Sequence, residues 1–302
     1  MGEGGGLKFL IIQEAGRHEE NRHFREGLSL QRALTRIGHE AKVWGLGYDG
    51  HDPEASASYQ ARILVDEYKP DVLFMLENYD QTGWVPDFSF FAGPRVLWTI
   101  DAHCNLDEHL RQALRQKSTH VLSSSYGYLE QFRSIGAKAF WFPNAFDDEL
   151  VDVRMDVTKD HFLGFCGSYV NRRDWIENLD RVIGIKRDIF IIGEAMVRAV
   201  NSYHIHFNRN MADDINYRTF ETTACGTMLL TNYTPGLERL FDIGREILVY
   251  KDGHDLVRIL NELRQDPDRV AEVAALGYAR ARMDHNYLER GKSLCSILNY
   301  TA

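Results

Sequence analysis

Apolar strand-like runs alternate with amphipathic helical runs along the whole chain, and the alternation starts afresh near residue 162. Such a pattern leaves few folds open, because it is the signature of parallel sheets covered by helices on both faces. The first series opens with Leu7–Gln13 as a buried strand and passes through a helix with Leu30, Ala33, Leu34 and Ile37 on one face. It stops at Gly38 and resumes as a strand at Ala41–Trp44, which makes one βαβ unit. Further strands are expected at Val72–Leu76, Arg95–Ile100, Val121–Ser124 and Lys138–Phe142, with a helix over Leu106–Gln116. After the carboxylate-rich stretch Asp147–Asp160, Phe162–Cys166 reads as a strand ending at Gly167. A helix carrying Trp175, Leu179, Val182 and Ile183 follows. Strands at Asp188–Ile192, His204–Phe207, Thr227–Leu230 and Ile247–Tyr250, and a helix with Leu256, Ile259, Leu260 and Leu263 on one stripe, complete the second series.

The sequence therefore predicts an α/β protein of two Rossmann-like, doubly wound domains facing each other across a cleft. The expected divisions are 1–146, 147–284 and a final helix, 285–302. Its apolar stripe of Tyr287, Leu288, Leu294, Ile297 and Leu298 suits packing outside the second domain. A length of 302 residues is enough for two such cores. Ligands in these sheets bind beyond the carboxyl ends of the strands, so the cleft is the expected active site.

Composition narrows the partners. A formal charge of -9 argues against duplex DNA as the main partner, since phosphate neutralisation needs clustered cations. No apolar run approaches the roughly 20 residues of a transmembrane helix, and the glycine-rich start Met1–Gly6 lacks the features of a signal peptide. A cytoplasmic protein is expected. Cys104, Cys166, Cys225 and Cys295 are dispersed without a CxxC or Cys/His pattern, which predicts neither zinc nor disulfides. His204 and His206 alternate along one strand face, but no third ligand is spaced to complete a site, so no metal is expected. The absence of a GxGxxG fingerprint counts against a nicotinamide cofactor.

The segment from Asp213 to Thr231 carries most of the chemistry. It has an acidic start, a helical middle, a stop at Gly226 and an apolar strand, so the helix N-terminus with its free N–H groups can face a diphosphate. Helical spacing puts Asp214, Arg218, Glu221 and Cys225 on one side. Glu221 can accept both hydroxyls of a ribose and Arg218 can pair with phosphate oxygens. The competing reading is an internal Arg218–Glu221 ion pair on a solvated face. At the start of the second series, Gly164–Arg173 reads as a strand, a Gly/Ser turn and two cations at a helix entrance, again a phosphate-holding arrangement or an ordinary solvated helix start.

Asn216, Arg218, Phe220, Glu221, Ala224, Cys225 and Gly226, followed by Met228–Thr231, resemble the N-x-R-x-F-E-x-x-A-C-G pattern of group-1 glycosyltransferases. The closest likeness is to their spore-maturation-protein-like branch. The resemblance continues through Pro235–Phe241 and Gly244–Tyr250 to His285–Tyr287 and Arg290. It implies the GT-B architecture, with a nucleotide-sugar domain in the second half, an acceptor-side domain in the first and a final helix that crosses back to the first domain. The implied donor-binding residues are Glu221, Arg218, Asn216, Tyr217, Asp213 and Asp214, with Gly167, Ser168, Asn171, Arg172 and Arg173 on the loop that faces the diphosphate. Many relatives have two glutamates separated by seven residues; Glu221 matches the second, while the first is replaced by the shorter Asp213, with Asp214 beside it.

On the acceptor side, the resemblance directs attention to the loop Gln13–His23, where His18 or Glu14 could take a proton from an acceptor hydroxyl. It also points to Asp101 and His103 at a strand end, His103 standing where branch members carry a proline. Their alternatives are a helix cap for Asp101 and a structural role for His103. Glu77-Asn78-Tyr79 leaves the neighbouring strand end toward the same cleft. Trp141–Ala145 resembles the segment by which such enzymes leave the first domain.

The implied reaction is metal-independent transfer of a sugar from a nucleoside diphosphate sugar, UDP being the commonest nucleotide, to a glycan, protein, metabolite or modified-nucleobase acceptor. No cofactor beyond this co-substrate is expected. The alternative is a catalytically silent nucleotide-sugar-binding or scaffold protein on the same fold.

Overall fold

The computed structural model describes residues 6–77 and 84–299, so Asn78 and Tyr79 lie outside the described residues. The chain divides into two compact units, Met1–Pro143 with Tyr287–Ala302, and Asn144–Asn286.

The first unit runs β1 (Lys8–Ile12), α1 (Glu26–Arg36), β2 (Glu40–Trp44), α2 (Ala57–Tyr68), β3 (Val72–Leu76), β4 (Arg95–Thr99), α3 (Ala102–Arg115), β5 (His120–Ser123), α4 (Leu129–Ser134) and β6 (Lys138–Trp141). All strand pairs are parallel, in the order β2-β1-β3-β4-β5-β6. Central strands buried on both faces should be apolar throughout. Accordingly β3 is buried at all five positions, whereas edge strand β2 is exposed or half-exposed at all but Trp44. Helix α1 stops as its sequence dictates: Gly38 takes φ +90°, and the next amide, His39 N–H, reaches back to the Leu34 carbonyl at 3.0 Å.

The second unit runs β7 (His161–Gly167), α5 (Arg173–Val182), β8 (Lys186–Ile189), α6 (Gly193–Asn201), β9 (Tyr203–Phe207), α7 (Tyr217–Ala224), β10 (Met228–Asn232), β11 (Leu248–Tyr250), α8 (Gly253–Gln265) and α9 (Pro267–Asp284). Its sheet is also parallel, in the order β11-β10-β9-β7-β8. The final helix, α10 (Tyr287–Asn299), belongs to the first unit and packs on α1, where Gly291 lets the Ala33 and Ile37 side chains approach. Among the described residues no helix is long and apolar enough to cross a membrane.

Helix α5 buries Ile176 and Leu179, while Val182 is 61% exposed. One expectation is corrected. Strand β8 begins and ends earlier than its apolar run suggests. Phe190 adopts φ +57° and leaves the sheet, and α6 starts at Gly193, so the run Ile189–Ile192 spans a turn.

In each unit the strand order reverses beside the first strand, between β1 and β3 in one and between β7 and β9 in the other. Crevices at such reversals are where open α/β sheets bind ligands.

Candidate functional site

At the β7/β9 reversal, the Gly167–Arg173 loop faces the segment Asn208–Asn216 that leads into α7. Arg172 is half-buried, and its Nε donates to the Arg209 carbonyl at 3.0 Å. Burial holds Arg172 below the usual guanidinium range; Asp214 works against that shift, while Arg209 and Arg218 add to it. Arg172 thus senses the charge of Arg209 and Arg218, with Asp214 as the opposing carboxylate. Arg218 pairs with Glu221, and its Nε donates to the Cys166 carbonyl at 3.1 Å. Burial would lower Arg218, but Glu221 together with Cys166 and Cys225 more than offsets it and the shift is upward.

The N-terminus of α7 is fixed by an amide network. Asn216 Nδ2 donates to Asn208 Oδ1 at 3.1 Å, and the Asn216 N–H donates to Asn210 Oδ1 at 3.2 Å. Asn208 Nδ2 also reaches Thr231 Oγ1 at 3.1 Å, and the Asn210 N–H meets Asn232 Oδ1 at 2.7 Å. Thr219 Oγ1, in the first turn, is buried without a hydrogen-bond partner among the described residues. The arrangement can receive an acceptor-rich anion: cations and helix amides lie side by side, and Glu221 supplies an acceptor for hydroxyls.

In the first unit, Asp101 stands at the N-cap of α3 just past β4, with no side-chain cap bond, and half-buried His103 lies in the first turn. The turn is clamped from beneath by Glu77, at the end of β3. Its Oε2 accepts the N–H groups of Ile100 and Asp101, the latter at 2.8 Å, and faces His109 Nε2 at 3.2 Å. Burial, with Asp101 adding, pushes Glu77 up to about 8, and burial lowers His109 to about 4. At the end of β1, buried Gln13 bonds Glu26 and the Gly27 amide. Glu14 is half-buried beside it, whereas His18 is 68% exposed and its nearest carboxylate is Glu20, 3.8 Å away.

Residues 150–296 match a family model described as glycosyl transferase-like. That segment, just under half of the chain, is thus similar to a glycosyl transferase-like domain. No curated protein matches its sequence. Among solved structures it is similar to HepE from Anabaena in complex with UDP and glucose, at 13% identity and TM-score 0.65, covering 97% of this chain and 100% of that one. It is also similar to sucrose-phosphate synthase from Thermosynechococcus elongatus, at 13% identity and TM-score 0.70 over 98% and 99% of the two chains. The catalytic domain of starch synthase IV from Arabidopsis thaliana, bound to ADP and acarbose, gives 11% identity and TM-score 0.64 over 98% and 99%. These likenesses establish the GT-B fold.

Within the second unit the geometry separates residues that spacing could not. Arg173 is 69% exposed, pairs with Glu177 one helical turn on and lies over the Tyr169 ring, whereas Arg172 turns toward the crevice. Asn171, exposed at φ +60°, and half-buried Ser168, whose Oγ accepts the Val170 N–H, shape the turn between Gly167 and Arg172. Asp214 does not share a helix face with Arg218, Glu221 and Cys225: extended Asn216 is the N-cap, α7 begins at Tyr217, and both aspartates precede it. Asp213 is exposed and Asp214 buried. The Arg218–Glu221 ion pair is present, but mostly buried and not on a solvated face.

The two strand histidines part company as well. His204 is exposed; buried His206 uses Nε2 to accept the Cys166 N–H at 3.0 Å and Nδ1 to meet Thr222 Oγ1 at 2.5 Å. Sequence reasoning missed Arg209, Asn208 and Asn210. The only signal was the polar run Asn208–Asn210 directly after an apolar strand.

Proposed function

We propose that the protein transfers a glycosyl group from a UDP-sugar to an acceptor hydroxyl or similar nucleophile, with the second unit holding the donor and the first the acceptor. The observation that carries this reading is the convergence of Arg172, Arg209 and Arg218 on the β7/β9 crevice, beside the N-terminus of α7. Charge develops on the diphosphate as the glycosidic bond breaks, and fixed cations and amides placed there stabilise it without reorganising. Three guanidiniums supply the positive charge that a divalent cation would otherwise provide, so the reading is metal-independent. Glu221 takes the ribose hydroxyls. The Asn216–Gly226 pattern supports a place in the spore-maturation-protein-like branch, and the UDP-bound HepE structure supports uracil as the base.

On the acceptor side, Asp101 and His103 at the end of β4 are the proposed acceptor-contacting pair, with Glu14 and His18 after β1 as the alternative proton acceptors. The test is calorimetric titration with UDP and ADP, followed by product analysis with UDP-sugars, with and without EDTA. UDP binding with chelator-resistant turnover is the expected result. Binding without turnover across acceptors selects the silent nucleotide-sugar-binding protein, and absence of nucleotide binding overturns the proposal.

A further inference from the structure

A second cavity lies wholly in the first unit, between the loop that follows β2 and the start of α2. Its volume is about 430 Å³, within the range of small-molecule sites. Leu46, His51, Ser56, Ala57, Ser58 and Trp84 contribute to its wall. The lining is aromatic on one side: the His51 ring sits between Trp44 and Trp84, with centroids 5.2 and 6.1 Å away. Trp84 is only 5% exposed, yet among the described residues its Nε1 has no hydrogen-bond partner, and neither ring nitrogen of His51 has one. Buried polar groups are almost always paired, so orphaned ring nitrogens on two residues at one cavity call for a partner from outside the chain. On the opposite side α2 begins without a side-chain cap from Ser56 and with no acidic residue in its first turn.

The chemistry of the wall selects among ligands. An indole and an imidazole offer flat faces to C–H groups and, at their edges, donors to oxygen. Among the described residues no Lys or Arg lines the cavity, which disfavours a phosphate, and a purely apolar ligand would leave the ring nitrogens unpaired. A pyranose meets both demands, with an apolar C–H face and a rim of hydroxyls. We propose that this cavity is a saccharide subsite for the acceptor, with Trp84 and His51 holding the sugar ring. The inference rests on the transferase reading for its role as an acceptor subsite, but saccharide binding itself can be measured alone.

The full chain is titrated, without nucleotide, with methyl β-glucopyranoside, methyl α-mannopyranoside, cellobiose and chitobiose, and binding is read by saturation-transfer NMR. UDP affinity is measured in parallel. Ala57→Leu, which fills the cavity from the helix start, and His51→Ala should each weaken the best saccharide about tenfold or more while leaving UDP affinity unchanged. If none of the four binds, the cavity holds water only and the proposal fails; if the variants bind like the parent, the saccharide sits elsewhere and it fails too. Saccharide binding that depends on His51 in a protein that ignores UDP would keep the subsite and sink the donor reading.

Discussion

Arg218 Nε donates to the Cys166 carbonyl at 3.1 Å, which ties the helix bearing Glu221 to the end of β7, one residue before the Gly167–Ser168 turn. His206 holds the same peptide unit's neighbour from the β9 side, accepting the Cys166 N–H with Nε2 and donating from Nδ1 toward Thr222 on α7. Burial lowers His206 to about 3, so it stays neutral and its tautomer is set by these two bonds. The two proposed phosphate-facing segments are therefore held in mutual register by one residue, Cys166. Mutations there act on position before they act on charge.

Arg172→Ala and Arg209→Ala are each expected to weaken UDP binding about 10- to 100-fold, because each removes a charged hydrogen-bond donor from the proposed diphosphate crevice. Uridine, which lacks the phosphates, should bind within about twofold of the parent protein. Calorimetry with both ligands is the check. Equal losses for the two would mean that these arginines organise the loop and do not meet phosphate.

Glu221 should behave differently. A ribose-facing carboxylate contributes to uridine as well as UDP, so Glu221→Ala should cost about 1.5–3 kcal/mol in both. It also leaves Arg218 without its carboxylate partner, and a lowered Tm should accompany the lost affinity. Glu221→Gln keeps an acceptor for Arg218 and should restore most of the Tm but not the affinity. An unchanged uridine affinity in both variants would take Glu221 out of the ribose site.

Glu77 gives a pH signature. Its carboxyl is raised to about 8 by burial, so between its unfolded value near 4.5 and pH 8 the folded state holds the extra proton, and stability falls as pH rises. His109, lowered to about 4, acts oppositely: between pH 4 and 6.5 the unfolded state holds more protons, and stability rises with pH. The two offset each other below pH 6.5, leaving Glu77 alone from there to about 8, with a slope of at most about 1.4 kcal/mol per pH unit. Denaturant midpoints of Glu77→Gln should lose that decline, and subtraction of its profile from the parent's isolates the carboxyl. A parent profile that matches the variant's from pH 6.5 to 8 would show that Glu77 is already ionised.

Much of this was legible in the sequence, for definite physical reasons. Central strands such as β3 and β4 are buried on both faces and must be written as unbroken apolar runs, and Gly38 and Gly226 end helices because each takes a positive φ. Several motif residues proved to be packing: the Phe220, Phe241 and His285 rings meet one another, and His285 Nε2 bonds the Leu240 carbonyl. What spacing could not supply was the position of a loop residue. Asp214 fits a helical period with Arg218, yet the chain is extended at Asn216 and breaks the period. Arg172 and Arg209 are 37 positions apart and meet only because β7 and β9 are neighbours, a pairing fixed by the whole sheet. The orphaned nitrogens of His51 and Trp84 are equally invisible in a sequence, since nothing local marks a polar group as unpaired.

The last helix offers a test that separates the units. In α10, Tyr287, Leu294 and Leu298 are buried, Arg290 Nε donates to the Pro143 carbonyl at 2.8 Å, and Cys295 Sγ lies 3.1 Å from His39 Nε2. All these partners belong to the first unit, although more than 140 residues of the second intervene in the chain. A chain ending at Asn286 should therefore lose stability in the first unit, whose α1 face would be stripped of its cover, while Asn144–Asn286 keeps its own core. Leu294→Ala is the milder version and should cost about 2–5 kcal/mol by leaving a cavity against α1. Hydrogen exchange resolved by peptide is the measurement: protection should fall across β1, α1 and β2 and persist across β7, β9 and β10. Uniform loss in both units would mean that they unfold as one cooperative body and that α10 stabilises the whole chain.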